Sequence, residues 1–114
     1  MPSATRSIDG VDVISLSGRL DAAVAPTVRE EIKAVIEEGS GKLVIDLSDV
    51  KFVDSSGLSV LVLALKAAHA KGGRLALLKV NSTVRSLLEL TRLHRVFEIF
   101  DDEAKACSRL AAAR

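Results

Sequence analysis

Apolar residues alternate, cluster or recur at helical spacing along the chain, and breaks of Gly, Asp and Pro separate them into elements. Thr5 to Ile8 and Val11 to Ser17 flank Asp9-Gly10, a strong short hairpin signal. In the second of these runs Val11, Val13, Ser15 and Ser17 share one face, and Asp12, Ile14 and Leu16 the other. Pro26 stands where a first helical turn tolerates it, and Val28, Ile32, Val35 and Ile36 follow at helical spacing until Gly39-Ser40-Gly41. Leu43-Val44-Ile45 is an uninterrupted apolar run of the kind a strand covered on both faces needs. After it comes an acidic stretch read as a turn, then a helix from Ser55 to Lys71 with a core stripe of Leu58, Leu61, Val62, Leu65 and Ala68. Gly72-Gly73 ends that helix, and Leu75 to Leu78 makes another buried strand. Asn81 or Ser82 caps a helix bearing Val84, Leu87, Leu88 and Leu90. Val96 to Phe100 reads as a last strand. Asp101 and Asp102 then start a terminal helix running to Ala113, where their charge suits the helix dipole.

This order predicts an α/β fold over residues 1–114 as one domain. It has a mixed central sheet of about five strands and about four helices, with an N-terminal hairpin followed by right-handed parallel crossovers. Hydrophobic residues make up 48% of the chain and aromatics 3%, so the core must be aliphatic. So few aromatics argue against the stacking surfaces of single-strand nucleic-acid binders. The 16 Lys and Arg against 15 Asp and Glu leave no electrostatic footprint for nucleic acid or anionic membrane. No apolar run follows the charged N-terminus, and Lys66 interrupts the most apolar window, Leu58 to Ala70, so neither a signal peptide nor membrane insertion is expected. A single cysteine, Cys107, excludes an internal disulfide and suits a reducing, cytoplasmic setting.

Enzyme chemistry finds little to work with. Ser55 is not in a Gly-x-Ser-x-Gly elbow, and His69 lies some four turns along the same helix, out of reach as a base. Asp46 and Asp49 follow a strand but lack a histidine or a tight ligand pattern, and read as solvated turn carboxylates. No catalytic residue, metal or cofactor is assigned.

The informative segment is Asp54-Ser55-Ser56-Gly57-Leu58, a serine pair where a strand meets a helix start. A helix start leaves its first four N–H groups without intrahelical acceptors and favours negative charge. A serine there can be a plain cap or a site where phosphate is tolerated. Gly57 is either room for a partner beside the hydroxyl or a small residue for close backbone packing. Val60, Leu63, Ala64 and Ala67 make the helix apolar away from its core stripe, which means either burial or an exposed docking strip with Ser59 and Lys66 along its margin.

In its order, the segment resembles the phosphorylation loop of STAS-domain anti-sigma factor antagonists. Ser17-Gly18-Arg19-Leu20-Asp21 resembles that family's first signature, and Asn81 to Thr91 its third. The resemblance implies that Ser55 is phosphorylated and that Asp21, Asp54, Ser55, Ser56, Gly57 and Ser59 face a partner. It implies an anti-sigma factor that is also a serine kinase as that partner, and a serine phosphatase that resets the phosphorylated form. The alternative within the same fold is an unmodified accessory subunit of a transporter or larger signalling assembly. Asp21 also reads as a turn or cap aspartate. Two residues depart from the family pattern. Arg92 replaces a common glycine, so the preceding helix is expected to end differently, and Arg19 stands where an acidic residue is common.

Overall fold

The computed structural model describes residues 3–112, so the predicted extension of the last helix to Ala113 lies outside the described residues. Strand β1 (Ser3–Ile8) pairs antiparallel with β2 (Val11–Leu20) across Asp9 and Gly10, which carry φ values of 52° and 79°. Both turn residues thus have positive φ, as a two-residue turn matched to strand twist requires. Helix α1 (Ala25–Glu38) follows, with Pro26 in its first turn, and the chain returns as β3 (Lys42–Val53). Then come α2 (Ser55–Ala70), β4 (Arg74–Leu78), α3 (Ser82–Leu90), a 3-10 turn over Leu93–Arg95, β5 (Glu98–Phe100) and α4 (Glu103–Ala112).

The five strands form one sheet in the order β1-β2-β3-β4-β5, parallel everywhere except the first pair. Helices α1, α2 and α3 cover one face over Ile14, Leu16, Leu20, Leu43, Ile45, Leu47, Leu75 and Leu77. On the other face α4 packs Ala106, Cys107 and Leu110 on Val11, Val13, Val44, Ala76 and Leu78. The central strands are apolar on both faces because both are covered.

Three expectations need correction. The acidic stretch after Ile45 is not a turn: β3 runs unbroken to Val53, and its register with β2 shifts between Ser15 and Ser17 and again between Gly18 and Arg19. Such irregularities bend a strand pair, and Ser48, Asp49 and Lys51 are exposed on the extended backbone of β3. The last strand is shorter than predicted, because Leu93–Arg95 coil as a 3-10 turn and Phe97 is buried before β5 begins. Helix α3 does end in a left-handed residue even without glycine, since Arg92 has φ 61° and ψ 14°.

The α2 stripe also differs. Gly57, Val60, Leu61, Ala64 and Ala68 are its buried residues, while Leu58, Val62 and Leu65 are only partly covered. The face carrying Val60 and Ala64 takes the burial reading of the two left open, at those two residues. It lies against α1, leaving an open groove between the two helices floored by Ile32, Ile36 and Ala64, with Leu63 exposed at its rim. A second helix packed alongside requires a wider apolar arc than the sheet alone would. Lys71 Nζ closes the far end, donating to the carbonyls of Ile36, Glu37 and Gly39 at 2.7–2.8 Å. A cation at the C-terminus of α1 suits its dipole.

Candidate functional site

Parallel strands deliver their C-terminal ends to one side of the sheet, and ligand or partner sites of open α/β sheets form there. At that end Leu20 of β2 pairs with Val53 of β3, so the loop entering α1 and the loop entering α2 lie side by side. Asp54 ties them together. Its backbone N–H donates to the carbonyl of Leu20 at 3.2 Å. Its Oδ1 accepts from the Gly57 N–H at 3.0 Å, and its Oδ2 accepts from the Ala22 N–H at 3.2 Å. The N-cap of α2 is therefore Asp54, with φ −99° and ψ −173°, and not either serine.

That assignment frees the serines. Ser55 occupies the first position of α2 and is exposed, and Ser56 is half-buried beside it. Among the described residues neither hydroxyl has a hydrogen-bond partner. The N–H groups of these first two helical positions have no intrahelical acceptor. Ser59, one turn on, is exposed and donates its hydroxyl to the Ser55 carbonyl at 3.0 Å. A neutral, accessible hydroxyl thus sits at the positive end of a 16-residue helix.

Gly57 is buried behind the serines. A Cβ placed on it would stand 2.2 Å from the Leu20 carbonyl oxygen and 2.8 Å from Leu20 Cγ. The geometry supports close packing as the role of this glycine, which lets α2 start directly against the end of β2. Asp21 lies in the facing loop, where its Oδ1 accepts from the Ala23 N–H at 3.1 Å and its carbonyl accepts from Val24 and Ala25. It organises the turn into α1 at the same end of the sheet as Asp54, and its side chain keeps 26% exposure.

One feature escaped sequence reading. Arg19 stacks its guanidinium over the Phe52 ring at 4.2 Å from the centroid, and its Nε lies 3.6 Å from Asp21 Oδ2. The two residues are 33 positions apart, and only the shifted β2–β3 register makes them neighbours. The face covered by α4 carries a separate polar cluster in which Asp46 accepts from Ser15 Oγ at 3.1 Å and from the Ser48 N–H at 3.0 Å. Burial pushes the Asp46 carboxyl upward, but these hydrogen bonds and the nearby Lys79 charge outweigh it and hold its pKa below the ordinary value. Asp46 is thus a strand residue and not a turn carboxylate. Burial raises the pKa of the Cys107 thiol. No group of three or more His, Cys, Asp or Glu side chains that could hold a metal occurs among the described residues. No helix among them is long and apolar enough to cross a membrane.

A five-stranded mixed sheet with a capped serine loop at its C-terminal end defines a STAS domain, and the STAS domain model matches residues 3–106. The chain belongs to the STAS-domain anti-sigma factor antagonist family. It is 34% identical over 102 residues to the anti-sigma F factor antagonist of Paenibacillus polymyxa, covering 89% of this chain and 87% of that one. The crystal structure of an anti-sigma factor antagonist from Mycobacterium paratuberculosis superposes with a TM-score of 0.86 at 28% identity, covering 96% of this chain and 92% of that one. In fold alone the chain also resembles a sulfate transporter family protein of Wolinella succinogenes, at TM-score 0.76 and 21% identity over 89% of this chain and 84% of that one.

Proposed function

We propose that this protein is an anti-sigma factor antagonist that acts by reversible binding and not by catalysis. Its unphosphorylated form captures a cytoplasmic anti-sigma factor that is also a serine kinase, and so frees a sigma factor. The kinase, using ATP and magnesium, phosphorylates Ser55, and a serine phosphatase restores the hydroxyl. The observation that carries this reading is the exposed, unpartnered Ser55 hydroxyl at the first position of α2, with capping assigned to Asp54.

Because Asp54 satisfies the Gly57 N–H, phosphate on Ser55 displaces no internal hydrogen bond. It gains the helix dipole and the unpaired N–H groups of the first turn. The fold therefore tolerates the modification, and its cost falls on the complex. Phosphate adds roughly 1.5 to 2 negative charges where the partner met a neutral hydroxyl. A loss of ~3 kcal/mol at that contact weakens binding on the order of a hundredfold.

The fold shared with a sulfate transporter family protein gives a second reading, a constitutive accessory subunit in which Ser55 is never modified. Capture from host lysate with wild type, Ser55→Ala and Ser55→Glu separates the two. An anti-sigma factor kinase held by the first two and lost by the third supports the switch. One transporter or assembly component held by all three refutes it.

A further inference from the structure

Among the polar side chains near the C-terminal ends of the strands, Arg19 is a cation with a fixed plane and unused donors. It is 65% exposed at the end of β2, directly before Leu20, whose carbonyl accepts from Asp54 and abuts Gly57. The Phe52 ring supports one face of the guanidinium at 4.2 Å. The Asp21 carboxylate approaches Nε at 3.6 Å, too far for a good hydrogen bond but near enough to bias the side chain. Among the described residues the two terminal nitrogens have no hydrogen-bond partner. Stacking leaves the edge of a guanidinium free, and that edge matches a carboxylate with two parallel hydrogen bonds. A long charged side chain ordinarily loses rotamer freedom when a partner grips it, and one already held by a ring and a counter-charge loses less.

We propose that Arg19 selects the partner of the serine loop by pairing bidentately with an Asp or Glu side chain of the docking protein. The assignment rests on the binding role proposed above and names the chemistry that the partner must present at the end of β2.

The test is titration calorimetry with the purified, ATP-loaded anti-sigma factor kinase of the host, in a Ser55→Ala background that blocks modification. Arg19→Ala is expected to weaken binding about tenfold and Arg19→Glu on the order of a hundredfold, by loss of the pair and then by like-charge repulsion. Arg19→Lys falls between wild type and Arg19→Ala, because an ammonium cannot make the fork. Phe52→Leu weakens binding about threefold by freeing the guanidinium, with the isolated domain still folded by circular dichroism. An Asp- or Glu-to-Arg change in the partner that restores binding to Arg19→Glu identifies the carboxylate. Binding of Arg19→Glu within twofold of the parent overturns the assignment, whatever Ser55→Glu does. Binding retained by Ser55→Glu but lost by Arg19→Glu leaves Arg19 in place and refutes the phosphate switch instead.

Discussion

Replacing Gly57 by alanine sets two physical effects against each other, and their sizes decide the outcome. Alanine is the better helix former, by about 1 kcal/mol in a helix interior. Against that, the new methyl would lie 2.2 Å from the Leu20 carbonyl oxygen and 2.8 Å from Leu20 Cγ. The Leu20 side chain can turn aside, but its carbonyl is backbone and already accepts from the Asp54 N–H. Relief therefore requires α2 and the end of β2 to separate, straining the bonds that Asp54 makes to Gly57 and Ala22. Overpacking of this kind costs about 1–3 kcal/mol, and the involvement of backbone places it at the upper end. After the helix gain is subtracted, Gly57→Ala should destabilise by about 2 kcal/mol. For a chain of 114 residues that lowers the melting temperature by about 8 °C. Urea titrations read by circular dichroism measure it. A Gly57→Ala protein as stable as wild type, or more so, would refute the close-packing account.

Three further outcomes follow from the same structure. Asp54→Ala removes both the α2 cap and the bridge to Ala22 and should cost about 2 kcal/mol in urea unfolding, whereas Asp54→Ser, which keeps a capping oxygen, should recover about half. Arg92→Gly should stabilise by about 1 kcal/mol, because the φ of 61° is strained for a side chain and free for glycine; an unchanged urea midpoint counts against it. Asp46 has its pKa held below 3.8 in the folded state, so it contributes stability above that value and loses it as pH falls through the folded pKa. The difference in urea midpoint between wild type and Asp46→Asn should thus be constant near neutrality and shrink below about pH 4; a difference independent of pH contradicts it.

Much of this fold is legible in the sequence, for local reasons. Asp9-Gly10 specified its hairpin through backbone preference alone, and Gly39 to Gly41 and Gly72-Gly73 punctuated the crossovers. Continuous apolar runs marked Leu43–Ile45 and Leu75–Leu78 as strands covered on both sides. What was missed depends on contacts between distant segments. Ser48, Asp49 and Lys51 look like a turn, and only the bulged pairing with β2 holds them extended. The buried face of α2 is set by where α1 lies, which decides between the two readings left open for Val60 and Ala64 in favour of burial. The serine-cap reading of α2 gives way to Asp54, which caps through the Gly57 N–H and also reaches Ala22 across 32 positions of sequence. Gly57 offered two readings until its distance to Leu20 was known. The Arg19–Phe52 stack had no local signal, since its partners lie on two strands joined by a shifted register.

The most direct measurement compares the binding of unmodified protein and protein stoichiometrically phosphorylated at Ser55 to the host's anti-sigma factor kinase loaded with a non-hydrolysable ATP analogue, so that no phosphate is transferred during the measurement. Circular dichroism and a melting curve on the same samples report the fold. The account predicts superimposable spectra, a melting temperature unchanged or slightly raised, and affinity lowered on the order of a hundredfold by phosphate. Equal affinity for the two forms, or lost affinity accompanied by an unfolded spectrum, would contradict a switch that acts on the interface and not on the fold.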